Sequence, residues 1–158
     1  MGENATAEAL ARMLAERGWT LGTVECGTDG VVGHRLFDTE DGPAVLGSSL
    51  TVNTIEEAID FLGLPWQQFE KAGDFSAKAA RAAARTGRDF LEVDLCLAVW
   101  AMPLPAGASQ VHETVHLALY AGQDAMDDTL DYKGPQEQMG NWLADQALEF
   151  ANKALSRH

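Results

Sequence analysis

The apolar positions along this chain change period several times, and each change marks an element. From Thr6 to about Arg17, Ala7, Leu10, Ala11 and Leu14 recur at intervals of three and four, which predicts an amphipathic helix. The period then collapses. "TLGTVEC" (20–26) is short, apolar, β-branched and bounded by turn residues, the pattern of a strand. Helical spacing returns from Val31 to Phe37, and Asp29 just ahead of it can accept from the first free N–H groups of that helix. "DTEDGP" (38–43) reads as a turn and "AVLGSSLTV" (44–52) as the next strand.

Asn53 or Thr54 can cap a helix running to about Leu62, with Glu56 and Glu57 favourably in its first turn and Gly63 ending it. "PWQQFEKAG" (65–73) reads as a short helix. Ser76 caps the alanine-rich "AKAARAAARTGRDFL", a strong helix former. "VDLCLAVWAM" (93–102) is a nearly continuous apolar strand, as expected for a strand covered on both faces. "PLPAGASQ" (103–110) is a loop, and "VHETVHLALYA" (111–121) another strand. The chain closes on a long helix from about Pro135, with Met139, Leu143, Ala147, Phe150 and Ala154 on one side. This order predicts an α/β fold: a mixed central sheet with helices on both faces. The strands either side of the 103–110 loop should be antiparallel, because no helix intervenes.

At 158 residues the chain is expected to form a single domain over 1–158. Its formal charge of −13, from 24 acids and 11 bases, argues against nucleic acid or an anionic membrane as partner. No apolar run is long enough for a membrane span, and the start of the chain lacks the basic and apolar blocks of a secretory signal. Cys26 and Cys96 lie in separate apolar runs, which argues against a disulfide framework and makes the cytoplasm the expected location.

Two stretches carry candidate chemistry. In "TVECGTDG" a thiol sits where a strand hands over to a helix, a place where backbone N–H groups can depress a thiol pKa and hold an oxyanion. Thr28 adds a hydroxyl, and Gly27 and Gly30 permit close approach of a ligand. Glu25 works against a thiolate, and a buried structural cysteine is the competing reading. The second stretch, His112-Glu113-Thr114-Val115-His116, matches the H-E-x-x-H zinc-peptidase pattern, with Glu137 as the best-spaced third ligand. Its β-branched context favours a strand, which would hold the histidines roughly 13 Å apart. No metal or cofactor is therefore expected. The acidic "DAMDDTLD" (124–131) lacks the glycine and closing glutamate of an EF-hand loop and reads as a solvated connection.

The first stretch also resembles a known family. Leu21–Gly30, "LGTVECGTDG", is similar to the "LATAESCTGG" motif of the CinA carboxy-terminal domain, and "GDFSAKAARAAA" (73–84) to that family's "GAVSEEVARAMA". "AVLGSSLTVNT", "VDLCLAVWAMPLP" and Thr114-Val115 fall where the family has strands ending in "YSNEAK", "ADIALAVTGIAGP" and "GTV". The resemblance implies a three-layer α/β/α sandwich. For stand-alone, PncC-like members it implies nicotinamide mononucleotide amidohydrolase activity with a serine nucleophile, here Cys26. It also implies a ligand site around Glu25, Gly27, Thr28, Asp29, Gly30, Trp100 and Ala101, for a small nucleotide-like ligand, and makes a homo-oligomer plausible.

The departures from the family all fall at that site. Its lysine and tyrosine have no counterpart in "VNTIEEA" (52–58), where Glu56 or Glu57 reverses the field beside the nucleophile. "GIAGP" becomes "AMPLP" (101–105), and Asp29 replaces a glycine where a phosphate would be accommodated. The expectation is a degenerate amidase retained as a ligand-binding or interaction domain. The alternatives are a Cys26 amidase with His34, His112 or His116 as a rebuilt base, and the zinc site.

Overall fold

The computed structural model describes residues 4–64, 76–101, 107–122 and 125–157. Helix α1 (Ala5–Arg17) leads into β1 (Leu21–Cys26), α2 (Val31–Phe37), the single turn α3 (Gly42–Val45), β2 (Leu46–Val52) and α4 (Ile55–Leu62). The chain continues with α5 (Ala77–Leu91), β3 (Leu95–Ala101), β4 (Gln110–Tyr120), β5 (Ala125–Pro135) and α6 (Gln136–Ser156). The expected helix at 65–73 and most of the "AMPLP" segment lie outside the described residues.

Local chemistry sets the helix ends much as the sequence predicts. The Thr54 hydroxyl accepts from the Glu57 N–H at 3.1 Å, and Gly63 terminates α4 in the left-handed region at φ 68°. The Ser76 hydroxyl accepts from the Ala79 N–H at 3.1 Å to start α5. Pro43 in the first turn of α3 turns part of the predicted 44–52 strand into helix, so β2 begins only at Leu46.

The five strands run in the order β2-β1-β3-β4-β5. β1 is parallel to both β2 and β3, and the β3–β4 and β4–β5 pairs are antiparallel. The fifth strand corrects the sequence reading: the acidic run expected to be a surface connection pairs with β4 from Ala125 to Pro135. Its alternation is masked by Asp127, Asp128 and Asp131. Met126, Leu130 and Tyr132 nevertheless pack into or against the core beneath α6. Charge along an exposed edge strand also discourages pairing with other chains.

Side chains alternate across the sheet into two separate apolar layers. On one face, α1, α2 and α6 cover Leu21, Leu97, Val99 and Leu117. On the other, α4 and α5 cover Val24, Cys26, Ala98 and Trp100. Small residues on α5 (Ala79, Ala80, Ala83, Ala84) bring that helix close to the sheet. Closest of all is Gly87, where an added Cβ would meet Cys96 Sγ at 2.8 Å. The result is the expected three-layer α/β/α sandwich with a mixed sheet.

Candidate functional site

The chain leaves β1, goes to β2 on one side and then crosses to β3 on the other. The carboxyl end of β1 is therefore a topological switch point, the place where open α/β sheets leave a crevice. The "ECGTDG" loop emerges there. Gly27, Asp29 and Gly30 all adopt left-handed backbone, with φ of 79°, 56° and 76°. That geometry is inexpensive for the glycines and tolerable for aspartate.

Glu25 and Cys26, the last two residues of β1, point to opposite faces of the sheet. Glu25 is fully buried on the α2 side. Its Oε1 accepts from the Thr28 hydroxyl at 2.7 Å and the Val32 N–H at 3.0 Å, and its Oε2 accepts from the Gly33 N–H at 2.8 Å. One carboxylate thus satisfies the start of α2 and ties down the loop before it. Asp29 was expected to cap this helix, but Gly30 is the N-cap and no side chain caps from the loop. The left-handed turn at 29 and 30 separates Asp29 from those N–H groups, and Glu25 takes its place from within the strand. The signal was a lone acid in an otherwise uncharged strand immediately before a helix. Gly33 is required for the same contact: a Cβ there would lie 2.8 Å from Thr23 Oγ1 and 3.3 Å from Glu25 Oε2.

On this face the loop borders an open cleft of about 630 Å³, walled by Thr28 and Asp29, by Ser109 and Gln110 ahead of and at the start of β4, and by Glu137 and Met139 of α6. Gly27 also lines it. Of the other residues expected around a ligand, Glu25 has its oxygens occupied beneath the loop. Gly30 sits against β2, where a Cβ would come within 2.9 Å of Thr51 Oγ1. Trp100 and Ala101 are wholly buried, in opposite layers.

Cys26 lies on the other face, with no exposed surface, among the residues packed beneath α4 and α5. Burial pushes its thiol pKa up to about 12, with the negative charge of Glu57 acting in the same direction. Across the sheet, Val52, Cys26, Trp100, His116 and Thr129 occupy one row of paired positions. Trp100 is therefore the immediate neighbour of Cys26. His116 is two strands away, roughly 10 Å between Cα atoms at the usual strand spacing, with Trp100 between. His34 sits exposed on α2, in the opposite layer. None of the three histidines proposed as a base is placed to touch the thiol.

The H-E-x-x-H segment is part of β4, paired on both sides, and the zinc-peptidase arrangement requires a helix. Its two histidines have separate partners. His112 Nε2 lies 2.9 Å from Asp131 Oδ2, and His116 Nδ1 lies 3.0 Å from Thr129 Oγ1. The hydrogen bond and charge of His112, with the Thr114 hydroxyl, hold the exposed Asp131 carboxyl below its usual range despite some desolvation.

Among the described residues no helix is long and apolar enough to cross a membrane. A family model of the CinA C-terminal domain matches residues 3–155. The chain is 30% identical over 156 residues to a CinA-like protein of Geobacter sulfurreducens, covering 98% of this chain and 38% of that protein. It is also 30% identical over 148 residues to a CinA-like protein of Geotalea daltonii, covering 92% and 36%. It thus spans under two fifths of the length of these relatives. A CinA superfamily structure from Klebsiella pneumoniae superposes with a TM-score of 0.87 at 16% identity, both chains being fully covered. A competence or damage-inducible protein from Enterobacter asburiae gives 0.85 at 20% identity, covering 98% of this chain and 99% of that one. Those two likenesses concern the fold. Family membership rests on the match along the sequence: the chain belongs to the CinA C-terminal domain family.

Proposed function

We propose that this is a CinA-like domain whose amidase site is degenerate, and which retains a small-molecule site in the cleft beside the Gly27–Asp29 loop. The observation that carries the reading is the state of position 26, where the family resemblance puts the nucleophile. A nucleophilic thiol needs access and a positive or basic neighbour. Cys26 has no exposed surface and Trp100 beside it, and burial, with the charge of Glu57 acting in the same direction, pushes its pKa up to about 12. At neutral pH such a group is thiol rather than thiolate.

The cleft supports the second half of the reading. It lies at the switch point of the sheet, on the face away from Cys26, and combines apolar wall with hydroxyl and amide groups. Ligand binding there does not need the thiol.

The test is ammonia release from nicotinamide mononucleotide by the chain and by Cys26→Ala. The expected result is no release above background from either protein. Release that disappears in Cys26→Ala would overturn the reading and make Cys26 a working nucleophile.

A further inference from the structure

The cleft has a charge pattern that restricts what it can hold. Among the described residues its lining contains two carboxylates, Asp29 and Glu137, and no lysine, arginine or histidine. The N-terminus of α6 adjoins it, and a helix N-terminus would ordinarily attract an anion through a partial positive charge of about half a unit. Here Glu137 stands in the first turn of that helix, and the Gln136 N–H is occupied by the Ser109 carbonyl at 2.9 Å. Asp29 supplies a second full negative charge from the facing loop. The remaining polar groups, among them the Thr28 hydroxyl and the Gln110 amide, are neutral, and Met139 supplies apolar wall. The field of the whole molecule, at −13, has the same sign.

We propose that the cleft selects neutral or cationic ligands and rejects phosphorylated ones, with Asp29 and Glu137 setting the selection. This rests on the reading of the cleft as the ligand site. A planar cationic or amide-bearing ring can lie against Met139 and Val31 while the carboxylates balance its charge. A phosphate monoester brings close to two negative charges into the same space, with no basic side chain among the described lining residues to receive them. The chemical class that fits is an unphosphorylated nucleoside or a comparable aromatic cation.

Nicotinamide riboside and nicotinamide mononucleotide form a matched pair of probes, differing only in the phosphate. Calorimetric titration of both is compared between the unmodified chain and the double variant Asp29→Asn/Glu137→Gln. Asparagine tolerates the left-handed backbone at 29, so the variant keeps the loop, as circular dichroism can verify. The unmodified chain should bind the riboside at least about tenfold more tightly than the mononucleotide, and the variant should close most of that gap. Raising the salt should narrow the gap in the unmodified chain, because exposed charges are screened over about 8 Å at physiological ionic strength. Equal or tighter binding of the mononucleotide by the unmodified chain would overturn the selectivity and leave the cleft as a ligand site. A gap that persists in the variant would remove Asp29 and Glu137 as its cause. Failure of both probes to bind either protein would overturn the cleft reading itself, and the selectivity with it.

Discussion

Glu25 and Cys26 are adjacent in sequence, equally inaccessible to water, and opposite in how the fold accommodates them. Glu25 keeps a charge-bearing group inside the protein by surrounding it with donors: two backbone N–H groups of α2 and one hydroxyl. Cys26 has hydrocarbon around it and a pKa raised to about 12, which leaves it a small apolar side chain. The two faces of one strand end therefore differ. The Glu25 face builds a rigid loop beside an open cleft, and the Cys26 face is packed shut.

Removing the Glu25 carboxylate should give the largest effect on this contrast. Glu25→Ala would leave the Val32 and Gly33 N–H groups and the Thr28 hydroxyl without their acceptor in a buried place. At roughly 1–3 kcal/mol for each orphaned group, a loss of about 3 kcal/mol or more is expected in urea unfolding. A loss below about 1 kcal/mol would mean that water reaches those groups and that the carboxylate is not what holds the loop. Gly33→Ala comes next. Its Cβ must displace Thr23, Ser49 and Glu25 side chains now packed against bare backbone, at a cost of about 1–3 kcal/mol. Little or no change in the unfolding midpoint would show that those three side chains yield freely.

The last effect concerns the Cys26 face, is absent at neutral pH and sets in only in alkali. Burial raises both Cys26 and Cys96 from an ordinary 9.0 to about 12. Below pH 9 the thiols are protonated in folded and unfolded chains alike, so their contribution is fully present. Between about 9 and 12 the unfolded chain loses these protons while the folded chain keeps them, so stability falls as pH rises through that window. Unfolding curves collected from pH 7 to 11 should show this decline, and a Cys26→Ala/Cys96→Ala chain should show a shallower one. Identical slopes would mean that the thiols titrate normally in the folded protein.

Much of this was legible before any coordinates. The Thr54 and Ser76 caps, the stop at Gly63 and the strand character of the H-E-x-x-H segment all follow from side-chain chemistry acting within a few residues. The motif loop and its family could be recognised. β5 could not, because it exists through eleven paired positions on β4 and its own alternation is broken by acids. The cap of α2 was assigned to the nearest acid in sequence, Asp29, when the acceptor was Glu25, seven and eight residues from its N–H partners.

The sequence by itself determined the α/β class, the family and the helix ends set by Thr54, Gly63 and Ser76, since each depends on residue type and short spacing. Only the tertiary structure decided which side of the sheet each residue of "EC" faces, that Trp100 stands between the thiol and His116, and that Asp29 and Glu137 line one cleft with no basic side chain among its described residues. Those outcomes depend on strand register and on the packing of elements more than a hundred residues apart. A side chain's electrostatic and packing environment is a property of that assembly rather than of its neighbours in the chain.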